Sequence, residues 1–255
     1  MIGPLIGMIH LGPLPGSPAF AHDLEDVIAR ARRDATALTD AGFDALMIEN
    51  FGDAPFHADE VPATTVAAMT RCIAAVADAV SVPIGVNVLR NDALAAVAIA
   101  AATGAGFVRV NVLTGTMYTD QGPIVGKAAE VARLKAAVAP DVEVLADVFV
   151  KHATPPPGLS LSQAAADTWE RGGAGGLIVS GTGTGAPLAP DDRAVVHAAV
   201  PDAPIYAGSG VTTDTVAELL ETCRGVIVGT STKVDGVTTA PVDPARAAAI
   251  VEAAA

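Results

Sequence analysis

Short apolar runs alternate along the chain with longer Ala-rich segments of helical period. The most telling run is Glu143-Val-Leu-Ala-Asp147-Val-Phe-Val-Lys151-His152. Its even positions, Val144, Ala146, Val148 and Val150, are apolar, while Asp147 and Lys151 fall on odd positions, so a period of two puts both charges on one face of a strand. In a closed parallel barrel the outer face of such a strand packs on helices and the inner face looks down the axis toward the mouth. Burying an acid and an amine there is costly unless each finds a partner. The two residues are therefore read either as a mutual bridge that plugs the barrel top or as parts of a catalytic site.

The same alternation predicts strands at Leu5–His10, Ala45–Glu49, Ile84–Val88, Phe107–Val112, Glu143–Val150, Gly176–Ser180, Ile205–Gly208 and Gly225–Val228. Helical spacing covers Asp23–Ala41, Pro62–Val80, Asn91–Thr103, Pro123–Val138, Ser160–Arg171, Pro190–Ala199, Thr213–Thr222 and Pro241–Ala254. Asp23 is the expected cap of the first helix and Gly42 its stop. This β-then-α alternation favours an α/β fold of the (β/α)8 TIM-barrel kind over a doubly wound sheet. No shift in composition marks a linker, so residues 1–255 are read as a single TIM-barrel domain. The Pro155-Pro-Pro-Gly158 run is expected to be a stiff loop over the mouth.

Strand parity then sorts the polar residues. Leu46, Ile48, Ile84, Val86, Val88, Val108, Val110 and Val112 take outward positions, whereas Glu49, Asn87 and Asn111 are inward at strand ends. His10 and Ser180 close the first and sixth strands. With Asp147 and Lys151, polar groups converge from six strands at the end where barrel enzymes keep their sites. Arg109 shares the inward parity one layer deeper, as a salt-bridge partner for Glu49 or Asp147 or as a substrate clamp. After the seventh and eighth strands come Gly208-Ser209-Gly210 and Gly229-Thr230-Ser231. Glycines let backbone N–H groups approach an anion and hydroxyls add donors, so these turns are expected to bind phosphate. A third Gly-rich stretch, Ser180 to Gly185, is no P-loop because no Lys follows it; a lid, or donors for a sugar or base, are its expected roles.

Composition narrows the partners. With 28 acidic against 15 basic residues and a net charge of −13, no nucleic-acid partner held through phosphates is expected. No apolar run reaches membrane-span length without Gly, Pro or charge, so no membrane insertion is expected. Cys72 and Cys223 read as reduced buried thiols, which points to a cytoplasmic location. The acid excess with few lysines also fits a salt-rich cytoplasm. No HxH or HxxE spacing supports a metal, and nothing in the motifs calls for a redox cofactor. The Ala-rich helix faces leave self-association into a homo-oligomer open.

Several of these stretches together resemble the BtpA/SgcQ family: Gly7-Met-Ile-His-Leu11 with its Pro-Gly loop, Ile48-Glu-Asn50, Gly85-Val-Asn-Val-Leu89, Arg109-Val-Asn111, Ala146-Asp-Val-Phe-Val-Lys-His152 and Gly208-Ser-Gly210. The resemblance implies a phosphate-binding TIM barrel and, through archaeal members, a nucleoside phosphorylase acting on purine nucleosides such as guanosine. The loop after the sixth strand departs from the polar pattern expected of relatives. In that reading inorganic phosphate is the co-substrate and no other cofactor is needed. Lys151 would balance the phosphate held by the two turns, Asp147 and Glu49 would bind ribose hydroxyls or stabilise oxocarbenium-like charge, and His10, Asn87, Asn111, Arg109 and Ser180 would contact sugar or base. Loops at residues 52–60, 114–122 and 154–160 would set which base is taken. Two other readings use the same residues: a sugar-phosphate aldolase or isomerase working through Lys151 and the carboxylates, and a noncatalytic assembly factor for a membrane complex.

Overall fold

The computed structural model describes residues 2–181 and 190–255. Among them the elements run β1 (Leu5–His10), α1 (Leu24–Ala41), β2 (Ala45–Glu49), α2 (Ala63–Ala77), β3 (Ile84–Asn87), α3 (Ala93–Thr103), β4 (Phe107–Val110), β5 (Thr116–Thr119), β6 (Gly122–Val125), α4 (Ala128–Val138), β7 (Glu143–Asp147), β8 (Ala153–Thr154), α5 (Leu161–Ala166), β9 (Gly176–Val179), α6 (Pro190–Ala199), β10 (Ile205–Ala207), α7 (Val216–Thr222), β11 (Gly225–Val228) and α8 (Pro244–Ala254). Eight of the strands close into a parallel barrel in the order β1-β11-β10-β9-β7-β4-β3-β2. The fold is a TIM barrel, as the sequence pattern predicts.

Local chemistry explains the helix ends. The Asp23 carboxylate accepts from the Asp26 N–H at 3.0 Å, and Gly42 ends α1 at φ 106°, a left-handed value that suits a residue without Cβ. Asp92 caps α3 and Asp243 caps α8 in the same way.

Two layers follow from strand parity. Leu46, Ile48, Val86, Val108 and Val110 join the cluster between the barrel and its helices, while Ile6, Met8, Met47, Phe107, Leu145, Ile178, Tyr206 and Ile227 fill the interior. The filling is tight at Gly85: an added Cβ would lie 2.1 Å from the Phe107 ring, so β3 must lack a side chain where β4 brings its aromatic.

Three expected elements differ most. Pro123 to Val125 belongs to β6, the second strand of a hairpin with β5, and not to the helix, which starts at Ala128. Met117 and Ile124 face inward there and pack on Val112 and Val150, a period of two that the Ala-rich downstream helix hides; Val112 therefore sits under this hairpin. The strand carrying Asp147 ends at that residue, so Lys151 stands on a turn rather than on the strand. The hairpin is extended by β8, which pairs with β5 directly after that turn. The expected helix at Thr213–Thr222 is shortened to α7, and the stretch Thr182 to Gly185 lies outside the described residues.

Candidate active site

At the carboxyl ends of the strands lies a cavity of about 660 Å³. His10 reaches it from β1, Glu49 from β2, Arg109 from β4 and Asn111 from just beyond, with Lys151 from the turn after β7. Ser209 and Gly210, which follow β10, and Gly229, Thr230 and Ser231, which follow β11, line it too, Gly229 lying against the His10 ring. The Lys151 ammonium donates to the Gly208 carbonyl at 3.5 Å, which sets the amine beside the first of the two turns.

Four of the predicted residues, Asp147, Ser180, Asn87 and Gly208, are not among those that line this cavity. Asp147 accepts from Arg109 through both oxygens, Nε to Oδ2 at 2.8 Å and Nη2 to Oδ1 at 2.9 Å. Ser180 Oγ donates to the same Oδ1 at 3.2 Å. Of the alternatives the sequence leaves open, the mutual Asp147–Lys151 bridge does not form, and Arg109 takes Asp147 as its salt-bridge partner through a planar fork that matches a carboxylate better than an ammonium does. Asn87 donates to Asn111 Oδ1 at 3.0 Å and to the Arg109 carbonyl at 3.1 Å, fixing the orientation of the asparagine above it.

Burial sets the charge states. Desolvation, reinforced by the nearby charge of Lys233, lowers the His10 pKa to about 3, so this imidazole is neutral at pH 7. Its 3.9 Å approach to Glu49 is then a contact between an acid and a neutral ring, not an ion pair. Nδ1 faces the Thr238 carbonyl at 3.1 Å, the partner for which it carries the proton. Desolvation raises the Glu49 pKa against the opposing pull of Arg109, Lys151 and Arg90. Lys151 is lowered to about 8, by burial first and then by the positive charge of Arg109. A carboxyl raised, an amine lowered and a neutral imidazole in one cavity form a proton-transfer set.

The hydroxyls of the two glycine turns hold the turns themselves. Ser231 Oγ donates to the Val211 carbonyl, tying one turn to the other, and Thr230 Oγ1 lies 3.0 Å from Thr238 Oγ1. Ser209 Oγ accepts from the Gly181 N–H at 2.8 Å. Gly210, at φ 69°, bends the first turn through a conformation that side chains rarely adopt.

Strand parity missed other members of the lining because they come from outside the barrel strands. Arg90, Phe51, Phe56, Asp120, Gln121, His152, Thr212 and Arg246 all border the cavity. Phe56, Asp120 and Gln121 fall in the loops expected to discriminate between bases. Arg90 Nη2 donates to the Lys151 carbonyl at 2.6 Å, anchoring the turn that carries the amine. Among the described residues no three His, Cys, Asp or Glu side chains converge as a metal would need, and no helix is long and apolar enough to cross a membrane.

Comparison with known proteins adds a lineage. A family model described as the BtpA family matches residues 1–255. The photosystem I biogenesis protein BtpA of Synechocystis is 45% identical over 252 residues, covering 99% of this chain and 88% of that protein. An uncharacterized protein of Thermococcus kodakarensis is 48% identical over 253 residues, covering 98% and 95%. Among solved structures, tryptophan synthase from M. tuberculosis superposes with a TM-score of 0.63 at 18% identity, covering 99% of this chain and 92% of that one. At that identity the likeness speaks for the barrel alone.

Proposed function

The chain belongs to the BtpA family, and on that premise we propose that it cleaves a purine nucleoside with inorganic phosphate, giving free base and ribose 1-phosphate. One observation carries the reading: two glycine turns, a half-buried amine and a buried carboxyl share the wall of one cavity large enough for a nucleoside beside a phosphate. The phosphate would lie against the turns at Gly208–Gly210 and Gly229–Ser231, held by backbone N–H groups and by the charge of Lys151. Held there, it is a reactant already oriented toward C1′, which replaces a collision in solution.

In the chemical step a phosphate oxygen bonds to C1′ while the C1′–N bond breaks, and its electron pair leaves with the base. Positive charge grows on the sugar, negative charge on the purine. Glu49, as its carboxylate, faces the first, and a protonated group in the cavity neutralises the second by delivering its proton to the departing base. Asp147 acts at one remove, holding the Arg109 guanidinium in the cavity floor. The rings of Phe51 and Phe56 supply an apolar wall for the base.

The test is release of free base from guanosine, inosine and adenosine with and without phosphate, followed by chromatography. Loss of that release in Lys151→Met and Glu49→Gln supports the assignment. If the folded wild-type protein releases no base from any nucleoside in a phosphate-dependent way, the reading fails.

A second reading rests on Lys151 alone. An amine with its pKa lowered to about 8 has a usable neutral fraction near pH 7, as Schiff-base chemistry on a sugar phosphate requires. Borohydride trapping of Lys151 with a ketose phosphate would favour it. A noncatalytic role in assembling a membrane complex leaves the desolvation of Glu49, Lys151 and His10 without benefit.

A further inference from the structure

Arg90 brings to the cavity a positive charge that no carboxylate of the described chain answers. The residue is only 7% exposed, yet it lines the cavity. Its side-chain hydrogen bond runs from Nη2 to the Lys151 carbonyl, and among the described residues no carboxylate comes within ion-pair reach of it. Arg109, by contrast, is held by both oxygens of Asp147. Nε and Nη1 of Arg90 are bonded to nothing in the described chain and are not sealed off from the open cavity. Burial pulls the Arg90 pKa down and Asp147 and Glu49 offset part of that from a distance, but a guanidinium stays charged in a protein. A desolvated cation with unused N–H groups is a standing demand for negative charge.

The fold sets where that charge arises. In the barrel order β3 stands four places from β10, and β4 four places from β11, around a ring of eight strands. Arg90 follows β3, so its backbone leaves the wall across from the turn after β10. An oxygen that displaces a base from C1′ enters on the face opposite the bond that breaks. With phosphate at the glycine turns, the base is therefore set toward the β3–β4 wall. That wall is tied to the aromatic lining, because the Arg90 N–H donates to the His57 carbonyl at 3.0 Å, next to Phe56. Asn50 fixes the preceding residue from both ends of its amide, accepting from the Leu89 N–H at 2.7 Å and donating to the Leu89 carbonyl at 3.4 Å. A guanidinium held this way needs no reorganisation when charge appears in front of it.

We propose that Arg90 is a catalytic residue that meets the negative charge of the departing base, whichever purine the cavity takes. This deepens the phosphorolysis reading and rests on it for the reaction. As the phosphate oxygen bonds to C1′, the electron pair of the C1′–N bond passes into the purine ring, and the Arg90 N–H groups hold the resulting anion until a proton reaches it. The guanidinium keeps its own proton throughout.

Two nucleosides that differ in the charge of the leaving base separate this role from a structural one. A 7-methylpurine is already cationic on the nucleoside, so it departs neutral and asks nothing of Arg90. With the full chain and inorganic phosphate, Arg90→Gln should lower kcat for guanosine by about 100-fold and change kcat for 7-methylguanosine by less than about 3-fold. Gln keeps an N–H for the Lys151 carbonyl, and the KM for phosphate should stay within about 3-fold because the turns that hold it are untouched. Arg90→Met takes its place if the Gln variant does not fold, with the same selective loss expected. Equal loss on both nucleosides, or a raised phosphate KM without selective loss, overturns the assignment of Arg90 and leaves the phosphorylase standing. A wild type that releases base from neither nucleoside overturns both.

Discussion

Two buried ion pairs, both pairing an aspartate with a basic side chain, do opposite things in this molecule. Arg109 and Asp147 meet inside the barrel at 2.8 and 2.9 Å, and Arg109 also lines the mouth cavity. Lys233 and Asp34 meet at 3.4 Å behind the barrel wall, where Lys233 has no exposed surface. Burial works against the charge of both bases. At Arg109 the charge and hydrogen bonds of Asp147 win, and the guanidinium is held above its usual pKa; at Lys233 desolvation outweighs Asp34, and the amine is pushed below its usual value. A guanidinium with five donors can satisfy a carboxylate with two and still face a cavity; a point-like ammonium cannot. The inner pair shapes a site, whereas the outer one anchors chain. Asp34 Oδ1 also accepts from the Val242 N–H at 2.9 Å, so α1 grips the segment that leads from the second glycine turn to α8.

Removing a single partner treats the two pairs alike and gives the largest effect. Asp147→Ala leaves Arg109 uncompensated and Lys233→Ala does the same to Asp34, so each should lose about 3–5 kcal/mol in urea unfolding. A loss well under that from either would show that water or a neighbour rescues the orphan. Removing both partners should then separate them. Lys233→Met with Asp34→Asn keeps the acceptor for Val242 and is expected to unfold within about 1 kcal/mol of wild type, with turnover near normal. Arg109→Met with Asp147→Asn should be similarly stable yet lower kcat/KM by about 100-fold or more, because a charge that faces substrate is gone.

A smaller effect is expected from pH. The folded Lys151 gives up its proton near pH 8, whereas the unfolded residue holds it to about 10.5. Between those values the unfolded chain binds more protons, so wild type should gain stability relative to Lys151→Met as pH rises through this window. Parallel unfolding curves at pH 7.5 and 9.5 would check it, and a difference independent of pH would mean that Lys151 is not desolvated. The smallest effect belongs to the exposed Arg71–Glu25 pair on α1 and α2. Arg71→Ala should change stability by less than about 0.5 kcal/mol, which sets the scale for what burial adds.

Most of the barrel was legible because parity is a covalent property of a strand. Glu49, Asn87, Arg109 and Asp147 had to be inward once Ile48, Val86, Val108 and Ala146 were outward. The partner of Arg109 could not be chosen between Glu49 and Asp147, since sequence holds no distances. The hairpin was lost because its alternating Met117 and Ile124 are few and a glycine turn separates them, next to a long Ala-rich helix that dominates the local pattern. Arg90 and Phe51 were not seen as site residues for a related reason: they reach the cavity from segments beyond the barrel strands, where strand parity dictates no direction, and Arg246 reaches it from the first turn of α8.

The Phe107 ring seated against Gly85 has a consequence for traffic. Among the described residues, that ring and its apolar neighbours fill the barrel axis beneath the cavity. A molecule taken into the cavity therefore cannot pass down the axis through that packed layer, and of two molecules bound one above the other the deeper leaves last.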